Sequence, residues 1–529
     1  MLPNFLQTIV VAASLVAASD PLVVSLPYGG FRGFVAGNLT QFLGIPFAHS
    51  ERFRGPTSPI PFRGVRDAIE YGPACPQQAM SNFGGGPIIP AFPSVLEDCK
   101  CLTLDIFKPQ VMTSAHQLPV SVVCGFAVGN SRNDDLRPLV ERSIQTHEPI
   151  LVLTINYRVT AFGFLPGKEA AAAGVTNLGF RDQIAALRWV QRYIHAFGRG
   201  FAPSCPSYDS GGVSAGSMST AYLTLQNKYN SNTLFRGALM QSGAAVHIQP
   251  QSAGQSDYDD LVRATQCTGA KDTLDCLRRV PFDSIMAAVN NTPTISSYRS
   301  VNLLWAPHID GDVVARDAWT SINQGLYAKI PLISTMCDDE GTLFSLAAAN
   351  ISFLQDASPA ELAQIARLYP DDPTQGSPFD TGTAKIIGPQ WKRTSAFIGD
   401  MLISSPRRFL LEHASTRQNV WGSLNKMGKS NVPVGAYHTS DTAIWFTNTT
   451  GVYTLGMDSL VNFVKRLDPN GIAAHRTDIW PKWNVASSKE RQSSLLTFSD
   501  MRVNITADDF RKEAIDFLNE FREKYDGRK

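Results

Sequence analysis

The sequence predicts an α/β protein with one large, mostly parallel central sheet flanked by helices, and three observations carry that prediction. Residues Ile150 to Ile155 read ILVLTI, a continuous β-branched run of the kind buried on both faces of a sheet. Phe180, Ile184, Leu187, Val190 and Ile194 recur at spacings of three and four, which is the apolar stripe of a helix. Two further short apolar runs, Gly237 to Met240 and Ile330 to Thr335, read as buried strands later in the chain. Strands separated by helices imply a parallel sheet covered on both faces, with function gathered at the carboxyl ends of its strands.

The chain has 529 residues, 43% hydrophobic and 18% charged, with a net charge of +1. The low charged fraction argues for a large buried interior and against disorder. The near-neutral balance supplies no field for nucleic acid. No repeat and no long low-complexity linker divides the chain, so residues 20–529 are expected to form one domain. Residues 1–19 read as a signal peptide: Phe5 to Ala18 is largely apolar, and Ala17, Ala18 and Ser19 are small. The leader's start has no Lys or Arg, and a buried N-terminal strand is the alternative. No later stretch has the roughly 18 uninterrupted apolar residues of a membrane span.

Export agrees with five sequons, at Asn38, Asn290, Asn350, Asn448 and Asn504. Eight cysteines are present, and in an exported protein some should pair. Cys267 and Cys276 bracket a short polar segment, while Cys75 and Cys99 bracket a Gly- and Pro-rich one. A metal site is the other reading of these cysteines, but no CxxC pair or histidine cluster supports it. No organic cofactor is implied either.

Gly212-Val213-Ser214-Ala215-Gly216 fits G-x-S-x-G. A serine on a tight strand-to-helix turn needs small neighbours, and the following helix points free N–H groups at the reaction centre. A serine hydroxyl is a poor nucleophile until a base takes its proton, and that base is normally a histidine held by a carboxylate. His438 follows the apolar stretch Val432 to Tyr437, which reads as a strand end turning into a loop. Glu340 follows the run Ile330 to Thr335. The order Ser, acid, His fits this kind of fold. A surface histidine and a helix-capping glutamate are the bland alternatives.

Several motifs together resemble the type-B carboxylesterase/lipase family, the cholinesterase-like group, and most of all its secreted fungal lipases. They are Gly44-Ile45-Pro46-Phe47-Ala48, Glu97-Asp98-Cys99 with Leu102, Asn156-Tyr157-Arg158, Asn177-Leu178-Gly179, Asp182-Gln183 with Trp189-Val190, Ser214-Ala215-Gly216, Gln241-Ser242-Gly243 and Asp339-Glu340-Gly341-Thr342. The resemblance runs from about Val24 to near the C-terminus. It implies the α/β-hydrolase fold, Ser214 as nucleophile, Glu340 as acid and His438 as base. It also implies disulfides Cys75–Cys99 and Cys267–Cys276. The loop closed by the first would be a lid, and Met80, Phe83, Ile88, Ile89, Phe92 and Leu96 make it apolar.

Two stretches depart from the family pattern. Cys124-Gly125-Phe126 offers one glycine where relatives have a run, leaving Ala215 and Gly125 N–H as the oxyanion donors. Losing one such donor costs on the order of 10²–10³ in rate. Before the nucleophile, residues 202–211 carry Pro203, Pro206, Asp209 and Gly211, poor material for a central strand. An irregular strand, a degenerate member and a locally shifted reading frame are the three explanations, the last being favoured. The expected function is a secreted, monomer-like ester hydrolase, a lipase acting on acylglycerols or other apolar esters at a lipid–water interface, with no nucleic-acid or stable protein partner. The alternatives are an esterase for small soluble esters, or an impaired binding or adhesion member of the family.

Overall fold

The β-branched runs pair into two sheets. The computed structural model describes residues 20–79, 100–111, 118–123, 126–132, 135–198, 208–225, 234–297, 299, 301–346, 354, 357–429, 433–446, 451–471, 479–484, 493–500 and 502–526. Its strands are β1 (Val23–Leu26), β2 (Gly29–Arg32), β3 (Phe34–Ala36), β4 (Leu39–Pro46), β5 (Val65–Asp67), β6 (Thr103–Pro109), β7 (Leu118–Val123), β8 (Val152–Ile155), β9 (Tyr208–Val213), β10 (Gly237–Gln241), β11 (Leu332–Cys337), β12 (Val420–Asn425), β13 (Ser494–Ser499) and β14 (Arg502–Ala507). Strands β1, β2 and β5 form a small sheet. The other eleven form the large one, in the order β14-β13-β12-β11-β10-β9-β7-β8-β6-β4-β3.

From β13 across to β8 every neighbouring pair is parallel, and antiparallel strands flank the run on both sides. The interior strands β8, β10, β11 and β12 are buried at every position, as continuous apolar runs between two helical layers must be. The predicted helix runs from Leu178 to Tyr193 and buries Phe180, Ile184, Leu187 and Val190, while Ile194 falls in the 3₁₀ turn that follows. Each such side chain contributes about 1.5–3 kcal/mol of burial.

The segment before the nucleophile corrects one expectation. Tyr208–Val213 is a strand at the centre of the sheet, in register with β7 on one side and β10 on the other. Ladder hydrogen bonds come from backbone groups, so Asp209 and the glycines 211 and 212 forfeit no sheet pairing there. Pro203 and Pro206 lie in 199–207, outside the described residues, so the feature that argued most strongly against a strand does not fall within it.

Two of the family motifs meet in a buried ion pair. Arg158 Nε and Nη2 donate to Asp182 Oδ2 and Oδ1 at 2.7 and 2.6 Å, with both side chains fully buried. The bond ties the segment after β8 to the helix Leu178–Tyr193, and Arg158 also donates to Arg54 O at 2.6 Å. Removing one partner strands the other charge out of water. Asp182→Ala should therefore lower unfolding stability by about 3–5 kcal/mol, measured by urea denaturation.

The disulfide assignment also changes. Cys75 is bonded to Cys101 and not to Cys99, which lies outside the described residues. Cys101 sits two residues before β6, is fully buried, and is followed by the buried Leu102. That anchored position delivers its sulfur to Cys75. Cys267 is bonded to Cys276. The apolar loop residues between 80 and 99 fall outside the described residues, as do Asn350 and Asn448. Asn38 and Asn290 are exposed, and Asn504 is half-buried on the edge strand β14.

Candidate active site

The carboxyl ends of β9, β11 and the segment 433–438 converge. Strand β9 ends at Val213, and the next residue, Ser214, turns straight into the helix Ala215–Thr224. That abrupt turn puts Ser214 at φ 56°, ψ −118°, a conformation costly for a residue with a Cβ. The surroundings hold it: Ser214 N–H donates to Gln241 O at 2.9 Å at the end of β10. Gly243 passes so close that a Cβ there would lie 2.8 Å from Ser214 O and 2.9 Å from Ser217 Cβ. This close approach gives the Gln241-Ser242-Gly243 motif its physical meaning.

Ser214 Oγ lies 2.7 Å from His438 Nε2, and His438 Nδ1 lies 2.6 Å from Glu340 Oε2. The serine is half-buried, whereas His438 and Glu340 are buried. The second oxygen of Glu340 accepts from Cys337 N–H at 2.7 Å, so both carboxylate oxygens are committed and neither caps a helix. Phe344 packs on the imidazole with ring centroids 4.7 Å apart. Among the described residues before His438, 433–437, there is no strand, which corrects the sequence reading. Gly435 adopts φ +71°, and of these residues only Tyr437 bridges to a neighbour, Asp339. Ala215 opens the helix beside the serine, so its N–H belongs to the first turn, where amides have no helical acceptor. Gly125 lies outside the described residues.

Further buried acids surround the relay, and the sequence reading missed them. Asp441 accepts from Gln241 Nε2 (2.9 Å), Thr335 Oγ1 (3.1 Å) and Trp445 Nε1 (3.0 Å). Burial raises its pKa, and the Glu340 charge raises it further. Cys337, which forms no disulfide, has its thiol pushed up by burial, then by the charges of Asp441 and Glu340. Asp441 stands three residues after His438, and that spacing was the available signal. Among the described residues no group of His, Cys, Asp and Glu is placed to hold a metal ion, and no helix is long and apolar enough to cross a membrane. Hydrogen bonds at both ring nitrogens equip His438 to pass a proton to or from Ser214 while a carboxylate holds it.

The chain is similar to known proteins in sequence and in fold. A sequence profile described as the carboxylesterase family matches residues 20–517. A secreted triacylglycerol lipase of Gibberella zeae is 32% identical, over 94% of this chain and 90% of its own. Lipase 4 of Diutina rugosa is 32% identical, over 90% of this chain and 92% of its own. Secreted lipase 1 of Botryotinia fuckeliana is 31% identical, over 95% and 93%. Among solved structures, EstA of Aspergillus niger matches with a TM-score of 0.77 at 24% identity, covering 94% of this chain and 98% of that one, a likeness of fold.

Proposed function

This chain belongs to the carboxylesterase family, and from that premise we propose that Ser214, Glu340 and His438 are its catalytic triad. The protein is a serine carboxylic ester hydrolase. The single observation that supports the triad is the unbroken chain of contacts, 2.6 Å from carboxylate to imidazole and 2.7 Å from imidazole to hydroxyl. Ser214 Oγ attacks the ester carbonyl carbon while His438 Nε2 takes its proton. Glu340 holds Nδ1–H and stabilises the imidazolium that forms. Ala215 N–H, in the first turn of its helix, stabilises the oxyanion, and Gly125 is the candidate for a second donor. His438 returns the proton to the leaving alcohol, which leaves an acyl-enzyme. Water, deprotonated by the same histidine, then releases the acid and restores Ser214.

The substrate is an acylglycerol or another apolar ester met at a lipid–water interface. Supporting this are the lipase names of the relatives and the apolar residues of the loop between Cys75 and Cys101. Residues 1–19 direct export as a signal peptide and are then removed. The secreted relatives and the two disulfides, which need an oxidising compartment, support that reading. The impaired-binder alternative is disfavoured by the unbroken contacts of the relay.

Rates on short- and long-chain nitrophenyl esters, taken below and above each substrate's solubility limit, test the substrate class. A rate that climbs once the long-chain ester aggregates is expected. Hydrolysis confined to dissolved short-chain esters would replace the lipase by a soluble-ester esterase.

A further inference from the structure

The turn that carries Glu340 is joined to the segment that carries His438 by more than the relay itself. We propose that Asp339 is a positioning residue: its carboxylate clamps the backbone two residues before His438 onto the Glu340 turn and so sets the orientation of the imidazole. This inference rests on the triad reading above.

Asp339 is fully buried, and its carboxylate is spent on three donors from two separate segments. Oδ1 accepts from Ser377 Oγ at 3.0 Å and from Phe379 N–H at 2.8 Å. Oδ2 accepts from Ala436 N–H at 2.8 Å. The backbone closes the same joint from the other side, since Asp339 N–H donates to Ala436 O at 2.9 Å. Three residues on, Thr342 Oγ1 donates to Val434 O at 2.8 Å, a second hook from the same turn. Gly435, between the two hooks, adopts φ +71°, and a Cβ there would lie 2.3 Å from Asp339 Oδ2. The segment Val434–Ala436 thus lies directly against the carboxylate of the residue preceding the acid.

The charge environment fits a fixed carboxylate. Lys429 Nζ is 3.6 Å from Asp339 Oδ2 and is bonded to Asp338. Lys426 reaches Asp338 at 3.4 Å and Asp380 at 2.9 Å. Burial, then the Asp338 charge, raises the Asp339 pKa to about 6, with Lys429 opposing. A carboxylate present only for stability would set the unfolding midpoint and leave the chemistry alone. A clamp on the His438 backbone sets where the imidazole stands, and a misplacement of about 1 Å can cost roughly 100-fold in rate.

Asp339→Asn separates the two. It keeps the shape but turns one acceptor oxygen into an NH₂ that must face a donor, either at Ala436 or at Ser377 and Phe379. Full-length enzyme is assayed on a dissolved nitrophenyl ester beside wild type and Ser358→Ala, which removes the hydroxyl cap of the distant helix Pro359–Leu368. Asp339→Asn should lower kcat about 10- to 100-fold with KM within about twofold. The acid limb of its kcat/KM profile should move to lower pH. Both a weaker Glu340 contact and the loss of one negative charge among Asp338, Asp380, Asp441, Lys392, Lys426 and Lys429 disfavour the imidazolium. Ser358→Ala should lower the unfolding midpoint with kcat unchanged. If Asp339→Asn does not fold, Thr342→Val is read in its place, with the same split expected. Wild-type kcat and an unmoved pH profile in the folded variant overturn the clamp. Wild-type enzyme whose hydrolysis does not need Ser214 overturns the triad reading instead, so the two failures are distinguishable.

Discussion

Ser214→Ala is expected to lower kcat for ester hydrolysis by at least about 10⁴-fold, while the folded protein and its unfolding midpoint should stay close to wild type. The size follows from the chemistry lost. Without Oγ no acyl-enzyme can form, and what survives is the acceleration from the oxyanion donors and from binding, roughly 10³–10⁴ over water in serine enzymes stripped of their nucleophile. Structurally little changes. The alanine loses the hydroxyl's contact with His438 Nε2 but keeps what holds the backbone of the turn, Gln241 O and the close passage of Gly243. Hydrolysis of a nitrophenyl ester by the two purified proteins, with circular dichroism melts alongside, measures both quantities. A loss of less than tenfold would remove Ser214 from the chemistry.

Glu340→Gln is the second large effect, with kcat about 10²- to 10⁴-fold down. The substitution is nearly isosteric, so the loss reports electrostatics and tautomer. Glu340 serves two donors at once, Cys337 N–H through Oε1 and His438 Nδ1–H through Oε2. A glutamine has one acceptor oxygen. The Cys337 amide cannot give up its hydrogen, so it claims that oxygen, and the NH₂ then faces Nδ1. The imidazole answers by placing its proton on Nε2, pointing at Ser214, where it can no longer accept one. Single-turnover kinetics should show the slow step moved to acylation, with KM little changed. A kcat within threefold of wild type would mean that another acid holds the histidine.

Much of this arrangement is legible in the amino-acid order, for reasons that can be named. Continuous β-branched runs and a three-and-four stripe are signals of burial period, and both led to the elements found at Val152–Ile155 and Leu178–Tyr193. Ser214, Glu340 and His438 were legible because each sits at the end of such a run or inside a short motif. Other features were obscured by competition between equivalent local signals. Cys99 and Cys101 are two residues apart, and only the buried start of β6 selects the second. Strand β9 was obscured because glycine and aspartate predict turns locally, whereas pairing with β7 and β10 supplies the strand from outside. The apolar stretch ending at Tyr437 looked like a strand, yet Pro433 and the left-handed Gly435 turn it into a loop hooked to Asp339 and Thr342. Asp339 stood out only as part of the motif with Glu340, and its clamping contacts were not legible, because its partners at 377, 379 and 436 are distant in sequence.

The convergence of a serine, an imidazole and a carboxylate into one proton path is tested most directly by a fluorophosphonate probe. Such a probe phosphonylates a hydroxyl only where an adjacent base can take its proton. Full-length folded protein is treated with the probe, digested and mapped by mass spectrometry. One adduct on the peptide containing Ser214, absent from Ser214→Ala and strongly slowed in Glu340→Gln, is the expected result. Folded protein that stays unmodified, or that carries its adduct on a different residue, would contradict it.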